Sequence, residues 1–121
     1  MEFRRIKLSE TSTNKLQVFK ARTKLTPNIA CRLALGLSLA QNSLPSLELY
    51  TEDSGQEINR YTLLGEHDLV LMSLFTQWCY ENSIDKEKYY EFFIAHINRG
   101  VELLTNRVKG IEGLVQLIKE N

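Results

Sequence analysis

Apolar and polar positions alternate near the start of the chain, and apolar positions recur at helical spacing after that. Residues 5–8, of sequence RIKL, show the two-residue period of a short, half-buried strand. Ser9 then offers a helix cap, because its hydroxyl can accept from the free amides of a first turn. The helix runs to about Thr23, with Leu16 and Phe19 on its inner side. The opening therefore predicts a strand followed by a helix.

The second helix is predicted from its start signal and has an unusual surface. Thr26 is a capping residue and Pro27 suits the first helical position, so a helix begins there and runs to about Ala40. Its surface is apolar almost all round, and such a helix needs cover on every side. We therefore expect an oligomer interface here. Gly36 costs roughly 1 kcal/mol relative to alanine, a cost that a closely packed backbone at that point would offset.

Three further helices follow an acidic, less regular connection over residues 41–64, which allows a small hairpin. The third helix starts near residues 65–68 and ends by Asn82, and the fourth is capped by Asp85. A last helix after Gly110 places one apolar face inward, made of Ile111, Leu114, Val115 and Ile118. The predicted fold class is mainly α: one compact domain over residues 1–121, of about five helices, with a short N-terminal strand and a ribbon-helix-helix-like N-terminal third.

The composition places this domain in the cytoplasm. Hydrophobic residues make up 43% and charged residues 25%, as in ordinary soluble proteins. No stretch reaches the roughly 18 apolar residues of a membrane helix, and no apolar region of a secretory signal follows Met1. Cys31 and Cys79 each lie in an apolar helical pattern, so we expect two buried free thiols in a reducing compartment.

The charge is distributed unevenly although the net charge is zero. The first forty residues carry eight basic and two acidic side chains, whereas residues 41–70 carry one basic and six acidic ones. Such a split can create a basic face that attracts a polyanion. The alternative is that these lysines and arginines are simply the solvated surface of helices.

The residues that carry enzyme chemistry are scattered. The six glycines stand singly, so no phosphate-binding loop is predicted. Glu66, His67 and Asp68 are adjacent at a helix start and point in different directions, which suits electrostatics at a helix end better than a metal site. His96 lies on an apolar stripe as a hydrogen-bonded core histidine, and Cys79 has no base near it in sequence. We predict no catalytic residue, no metal and no cofactor, and a protein that is not an enzyme.

The order strand, helix, turn, helix in a basic segment is that of a ribbon-helix-helix unit. In that class two chains pair their strands and lay the ribbon in the major groove of DNA. Arg5 and Lys7 would point outward to DNA, and the start of the second helix at residues 26–28 would offer free amides to a phosphate. The alternative is that this order arises in many folds and that the two cations protect a strand edge.

Three blocks of sequence together point to a known family. The first comprises residues 5–9, 15–16, 23–28 and 31–35, the second is NRYTLLGE at residues 59–66, and the third is HINRGV at residues 96–101. Taken together they resemble the DndE family of the bacterial DNA sulfur-modification machinery. The resemblance covers nearly the whole chain, and the combination of blocks is more specific than any one of them.

The resemblance implies a small accessory subunit of the system that replaces a non-bridging phosphate oxygen of DNA with sulfur. Other proteins of that system mobilise sulfur from cysteine, activate it with ATP and an iron–sulfur protein, and hydrolyse nucleotide. This subunit is expected to bind double-stranded DNA, with a preference for nicked duplex, as a homo-oligomer, a tetramer, beside the ATPase and sulfur-transfer subunits. The resemblance assigns it no catalytic residue. The expected DNA contact is a lysine-rich surface, which maps here onto Arg5, Lys7, Lys15, Lys20, Arg22 and Lys24.

Lys24 departs from the family pattern, because we expect glycine at this position. The turn between the first two helices calls for a positive φ there, which a lysine tolerates at a cost of order 1 kcal/mol; otherwise the turn differs. The extra charge would strengthen a phosphate contact or disturb subunit packing.

Two other classes of function stay open. A scaffold would bind the sulfur-transfer enzymes through the apolar second helix and the acidic segment 41–70, with incidental DNA affinity. A sequence-specific regulator would use the Arg5 and Lys7 ribbon on one preferred operator.

Overall fold

The computed structural model describes residues 3–120, apart from the side chains of Ile111, Leu114 and Glu120. Along the chain run β1 (Arg5–Lys7), α1 (Glu10–Thr23), α2 (Pro27–Leu39), α3 (Leu47–Tyr50), β2 (Glu57–Asn59), α4 (Arg60–Leu64), α5 (Asp68–Glu81), α6 (Tyr89–Arg107) and α7 (Ile111–Glu120). Short 3₁₀ turns, Gly65–His67 and Lys86–Lys88, precede α5 and α6. The prediction of a mainly helical domain with a short N-terminal strand is confirmed; α1, α2, α5, α6 and α7 are its five predicted helices.

The connection over residues 41–64 is where the sequence-based expectation fails. It forms α3, capped by the hydroxyl of Ser46, and then β2, and not a small hairpin. Strand β2 pairs antiparallel with β1, with Ile6 opposite Ile58. Both isoleucines are buried while their neighbours along each strand are exposed. Each strand thus contributes one apolar side chain to the core, and pairing them buries both.

Strand β1 has a partner on each of its two edges. Its ladder with β2 continues through the hydrogen bond from the amide of Leu8 to the carbonyl of Gln56. On the opposite edge the amide of Lys7 donates to the hydroxyl of Tyr90 at 3.3 Å. The N-terminal third therefore keeps the predicted order of strand, helix and helix, but pairing of two such strands between chains would have to displace Tyr90.

Helix α6 is the centre of the domain, and α2 lies along it. Residues 92–101 of α6 are buried on all sides. A Cβ atom on Gly100 would overlap the backbone of Ala34, so the two helices meet there at backbone distance. The close approach expected at Gly36 is not found, since nothing lies within 4 Å of a Cβ atom built there. The glycine that close packing requires belongs to α6.

The helix ends agree with the predictions in part. Ser9 caps α1 by accepting from the amide of Ser12 at 2.9 Å. Thr26 and Asp85 have the extended backbone of caps but make no side-chain capping hydrogen bond. Among the described side chains of α7, Val115 and Ile118 are exposed and Leu117 is buried, so the predicted inner face is wrong for Val115 and Ile118. The predictions for Ile111 and Leu114 lie outside the described side chains.

None of the helices in residues 3–120 combines the length and the apolar character that a membrane crossing requires.

Candidate nucleic-acid interface

The two basic residues of β1 lie on the outer side of the strand, as predicted. Arg5 and Lys7 are exposed on either side of the buried Ile6. The guanidinium of Arg5 is 3.3 Å from a carboxylate oxygen of Glu57 on the neighbouring strand. An exposed pair of this kind contributes at most about 1 kcal/mol. A phosphate can therefore replace the carboxylate at small cost.

The basic residues of α1 divide between the two flanks of the helix. Successive residues are rotated by about 100° in a helix of 3.6 residues per turn. Lys15 and Arg22 are seven positions apart and so share a flank, whereas Lys20 projects from the opposite side of the buried stripe of Leu16 and Phe19. The structure thus brings two of the three predicted cations of this helix together.

Lys24 ends α1 in the left-handed conformation, as expected for a position at which the family pattern has glycine. Its φ is 68°, and its amide donates to the carbonyl of Lys20 at 2.9 Å. The hydroxyl of the preceding Thr23 donates to the carbonyl of Phe19 and accepts from the amide of Leu25. These bonds close the turn into α2 and leave the Lys24 side chain exposed.

A groove between α1 and the end of α6, here called the α1–α6 groove, adds one basic residue that the sequence analysis missed. It has a volume of about 290 Å³. Its lining residues are Asn14, Lys15, Val18, Phe19 and Arg22 on one side and Thr105, Asn106, Val108 and Lys109 on the other. Arg22 and Lys109 also line a neighbouring depression at the start of α7. Lys109 is far from α1 in sequence, and only the packing of α6 beside α1 reveals it.

The two helix starts differ in what they offer an anion. At α1 the carboxylate of Glu52 accepts from the amide of Glu10 at 2.8 Å. Hydrogen bonds from Ser54, together with that amide, hold the pKa of Glu52 below its usual range. At α2, by contrast, the first turn carries no acidic residue and no side-chain cap. The start of α2 is the end that stays open to a phosphate.

The buried ionisable groups have the properties of core residues. The Ser38 hydroxyl lies 2.8 Å from Nδ1 of His96, which confirms the predicted hydrogen-bonded core histidine. Burial, with Arg99 nearby, lowers the pKa of His96 to about 3. Burial raises the pKa of Cys31 and of Cys79 to about 12, and both cysteines are free and buried as predicted. Within the described residues no group of histidine, cysteine and carboxylate side chains could hold a metal ion.

Comparison with known proteins gives one family and two informative structures. The family described as DNA sulphur modification protein DndE matches over residues 5–111. The crystal structure of DndE from Escherichia coli B7A, involved in DNA phosphorothioation modification, is 25% identical and has a TM-score of 0.72, covering 86% of this chain and 98% of that one. A crystal structure of a DndE mutant with two glycine-to-lysine substitutions is 25% identical with a TM-score of 0.70, covering 86% and 99%. No curated protein matches the chain.

Proposed function

This chain belongs to the DndE family of DNA sulphur modification proteins, and from that premise we propose that it is a non-catalytic DNA-binding subunit of the phosphorothioation system. It binds duplex DNA through its lysine- and arginine-rich surface and prefers nicked duplex. Arg5, Lys7, Lys15, Lys20, Arg22 and Lys24 supply the contacts. Other subunits, an ATPase and the sulfur-transfer enzymes, carry out the chemistry.

The observation that carries this proposal is that separate elements bring basic residues together at one groove. Lys15 and Arg22 of α1 face Lys109 across the α1–α6 groove, whose lining contains no carboxylate among the described residues. Lysine and arginine bind phosphates at any sequence, since such contacts position a protein on DNA without reading bases. We therefore expect binding with little sequence preference and with a steep dependence on salt.

The decisive experiment titrates intact and singly nicked duplexes of identical sequence with the protein at two salt concentrations. Fluorescence anisotropy measures the binding. We expect tighter, salt-sensitive binding of the nicked duplex. Equal affinity for both would refute the nick preference, and negligible binding of both would refute the DNA-binding function. Tight binding of one preferred sequence, which random duplex does not compete away, would instead support a sequence-specific regulator.

Charge reversal then tests the named surface. Lys15→Glu combined with Lys20→Glu should weaken DNA binding and lower its salt dependence, because each phosphate contact contributes about 0.9 to the slope of log K against log salt. The control is Lys86→Glu combined with Lys88→Glu, which makes the same charge change at exposed positions before α6. Equal loss in both double variants would mean that only net charge matters.

The outer face of α2 is an apolar surface that can be covered either by a second copy of this chain or, in a scaffold function, by a sulfur-transfer enzyme. Ile29 and Leu33 are 41% and 39% exposed there, and they line a groove of about 600 Å³ together with Leu117 and Ile118 of α7. Exposed apolar surface of this kind marks protein contacts. We propose that it holds the subunits of a homo-oligomer, a tetramer, together. Leu33→Asp should then dissociate the oligomer in sedimentation analysis, and an unchanged mass would assign the face to another protein.

A further inference from the structure

The α1–α6 groove combines three features that together describe a single ligand. Positive charge comes from Lys15 and Arg22 on one wall and from Lys109 on the other. Asn14 and Asn106 add amide groups that can donate and accept hydrogen bonds. The floor is apolar, with Val18 half exposed above the buried Phe19 and Val108. Positive walls above an apolar floor fit an anionic group attached to a flat, weakly polar one.

We propose that the α1–α6 groove receives one nucleotide of a DNA strand at a nick, with its phosphate on Lys15, Arg22 and Lys109 and its base or sugar on Val18. This rests on the proposed DNA-binding function and supplies a basis for its preference for nicked duplex. The chemical class recognised is a nucleoside phosphate within a DNA strand.

The size of the groove sets how much DNA it admits. Its volume of about 290 Å³ lies at the lower end of the range of about 300–1,000 Å³ for small-ligand sites. A groove of this size holds one nucleotide, whereas a base pair or a duplex stays outside it. The duplex is then held by exposed cations outside the groove, Lys20 and Lys24 among them.

A nick lowers the cost of moving a nucleotide into this groove. Taking a base out of an intact duplex costs a few kcal/mol of stacking and pairing, and less where the base is already loosened. At a nick the terminal nucleotide is joined to its strand on one side only, so it leaves the stack more easily. Surface lysines attract intact and nicked DNA alike. A one-nucleotide groove therefore distinguishes them where charge alone does not.

The first test replaces the floor without changing the charge. Val18→Gln puts a longer polar side chain in the groove, and Val115→Gln is its control because Val115 is also about half exposed, at 46% against 50%, and does not line the groove. We expect Val18→Gln to weaken binding of nicked duplex about tenfold, because a polar amide replaces the apolar contact with the base or sugar, and to leave binding of intact duplex unchanged. Val115→Gln should bind both duplexes as the original protein does.

The second test reverses the charge of the far wall. Lys109→Glu should weaken binding of nicked duplex more than of intact duplex. Lys88→Glu, an equal change at the other end of α6, should leave the ratio of the two affinities unchanged. A nicked duplex with 5-iodouracil at the nick gives a measurement independent of affinity. Irradiation should cross-link it to peptides containing residues 14–22 or 105–109.

The outcomes separate this inference from the proposed function. If Val18→Gln and Lys109→Glu keep the original ratio of nicked to intact affinity, and the cross-links fall elsewhere, the groove is not the nucleotide site although the protein still binds DNA. A free deoxynucleoside monophosphate that binds as tightly as the nicked duplex would also overturn the inference, in favour of a free nucleotide. No binding of either duplex would overturn both proposals.

Discussion

The contact between α2 and α6, here called the α2–α6 seam, and the basic surface of α1 use the same kinds of residue in opposite ways. Arg99 of the seam is buried and donates to the hydroxyl and carbonyl oxygens of Ser38 and to the carbonyl of Ser43. Lys20 and Lys24 of the surface are exposed to solvent. The guanidinium of Arg99 makes hydrogen bonds inside the fold, whereas the ammonium groups of the surface lysines are accessible to a ligand. A count of cations along the sequence does not distinguish the two.

The difference predicts how substitutions behave in the two regions. A seam residue has fixed partners, so replacing it lowers the free energy of unfolding, and DNA binding is lost with the fold. A surface residue far from such partners usually changes that free energy by less than about 0.5 kcal/mol. Its replacement should change DNA binding alone.

Gly100→Ala should have the largest effect on folding. The added Cβ would overlap the backbone carbonyl of Ala34, which cannot move aside as a flexible side chain can. Overpacking usually costs about 1–3 kcal/mol, and a clash with backbone lies at or above the upper end of that range. We expect little folded protein by circular dichroism and a strongly lowered midpoint of thermal unfolding.

Gly36→Ala is the matched control for this glycine. It makes the same change inside a neighbouring helix at a position with open space. An isolated subunit should gain about 1 kcal/mol from the better helix propensity of alanine. If both variants lose stability, helix α2 packs against a second chain at Gly36, and the effect should then depend on protein concentration.

Acid should destabilise the seam through His96. In the fold its pKa is about 3, whereas an unfolded histidine has a pKa of about 6.5. The neutral form therefore stabilises the fold fully above pH 6.5, and this stability is lost as the pH falls from about 6.5 toward 3. By pH 4 the loss is about 3 kcal/mol. Urea unfolding at pH 7, 5 and 4 measures it.

His96→Gln should flatten this pH dependence, because glutamine does not titrate and can still accept from Ser38. His67→Gln is the control, since His67 is more than half exposed beside Glu66. A His96→Gln variant whose stability falls with pH as steeply as that of the original protein would show that another group causes the acid sensitivity.

Arg99→Met should cost about 2–3 kcal/mol of unfolding free energy, because it removes the hydrogen bonds to the hydroxyl and carbonyl oxygens of Ser38 and to the carbonyl of Ser43. Methionine keeps much of the length of the side chain, so the lost hydrogen bonds dominate over lost packing. Chemical denaturation measures the change, and Lys88→Met on the exposed turn before α6 is the control. A loss below about 0.5 kcal/mol would place Arg99 with the surface cations.

The sequence predicts the elements better than the contacts between them. The spacing of apolar positions, together with the helix-start signals, predicted β1 and the five long helices. The pairing of β1 with β2 and the approach of Lys109 to α1 join segments distant along the chain, and no local pattern encodes such a contact. Gly36 and Gly100 both lie inside predicted helices and cannot be told apart from the sequence. Only the three-dimensional packing shows that Gly100 is the glycine that a neighbouring backbone leaves no room to replace.

The second and third blocks that resemble the family report on the fold more than on DNA contacts. In the third block, Asn98 accepts from the amide of Ser9 and donates to the carbonyl of Tyr50, so it joins α1, α3 and α6. In the second, Asn59 caps α4, and Arg60 pairs with Asp68 at 3.0 Å. Four of the proposed DNA contacts lie in the first block, namely Arg5, Lys7, Lys15 and Lys24, whereas Lys20, Arg22 and Lys109 lie outside all three. The resemblance therefore supports the fold directly, while the interface has to be tested in each chain.

Lys24→Gly is the smallest and most discriminating change. Glycine adopts the φ of 68° found at this position without steric cost, so the variant should gain about 0.5–1 kcal/mol of unfolding free energy, less what glycine adds to the entropy of the unfolded chain. It also removes a cation, so DNA binding should weaken and its salt slope should fall by about 1. Lys24→Gln removes the charge but keeps the left-handed strain, and should weaken DNA binding without the gain in stability. Seam variants lower both quantities together, whereas Lys24→Gly should move them in opposite directions. A Lys24→Gly protein that gains stability and binds DNA unchanged would remove Lys24 from the interface.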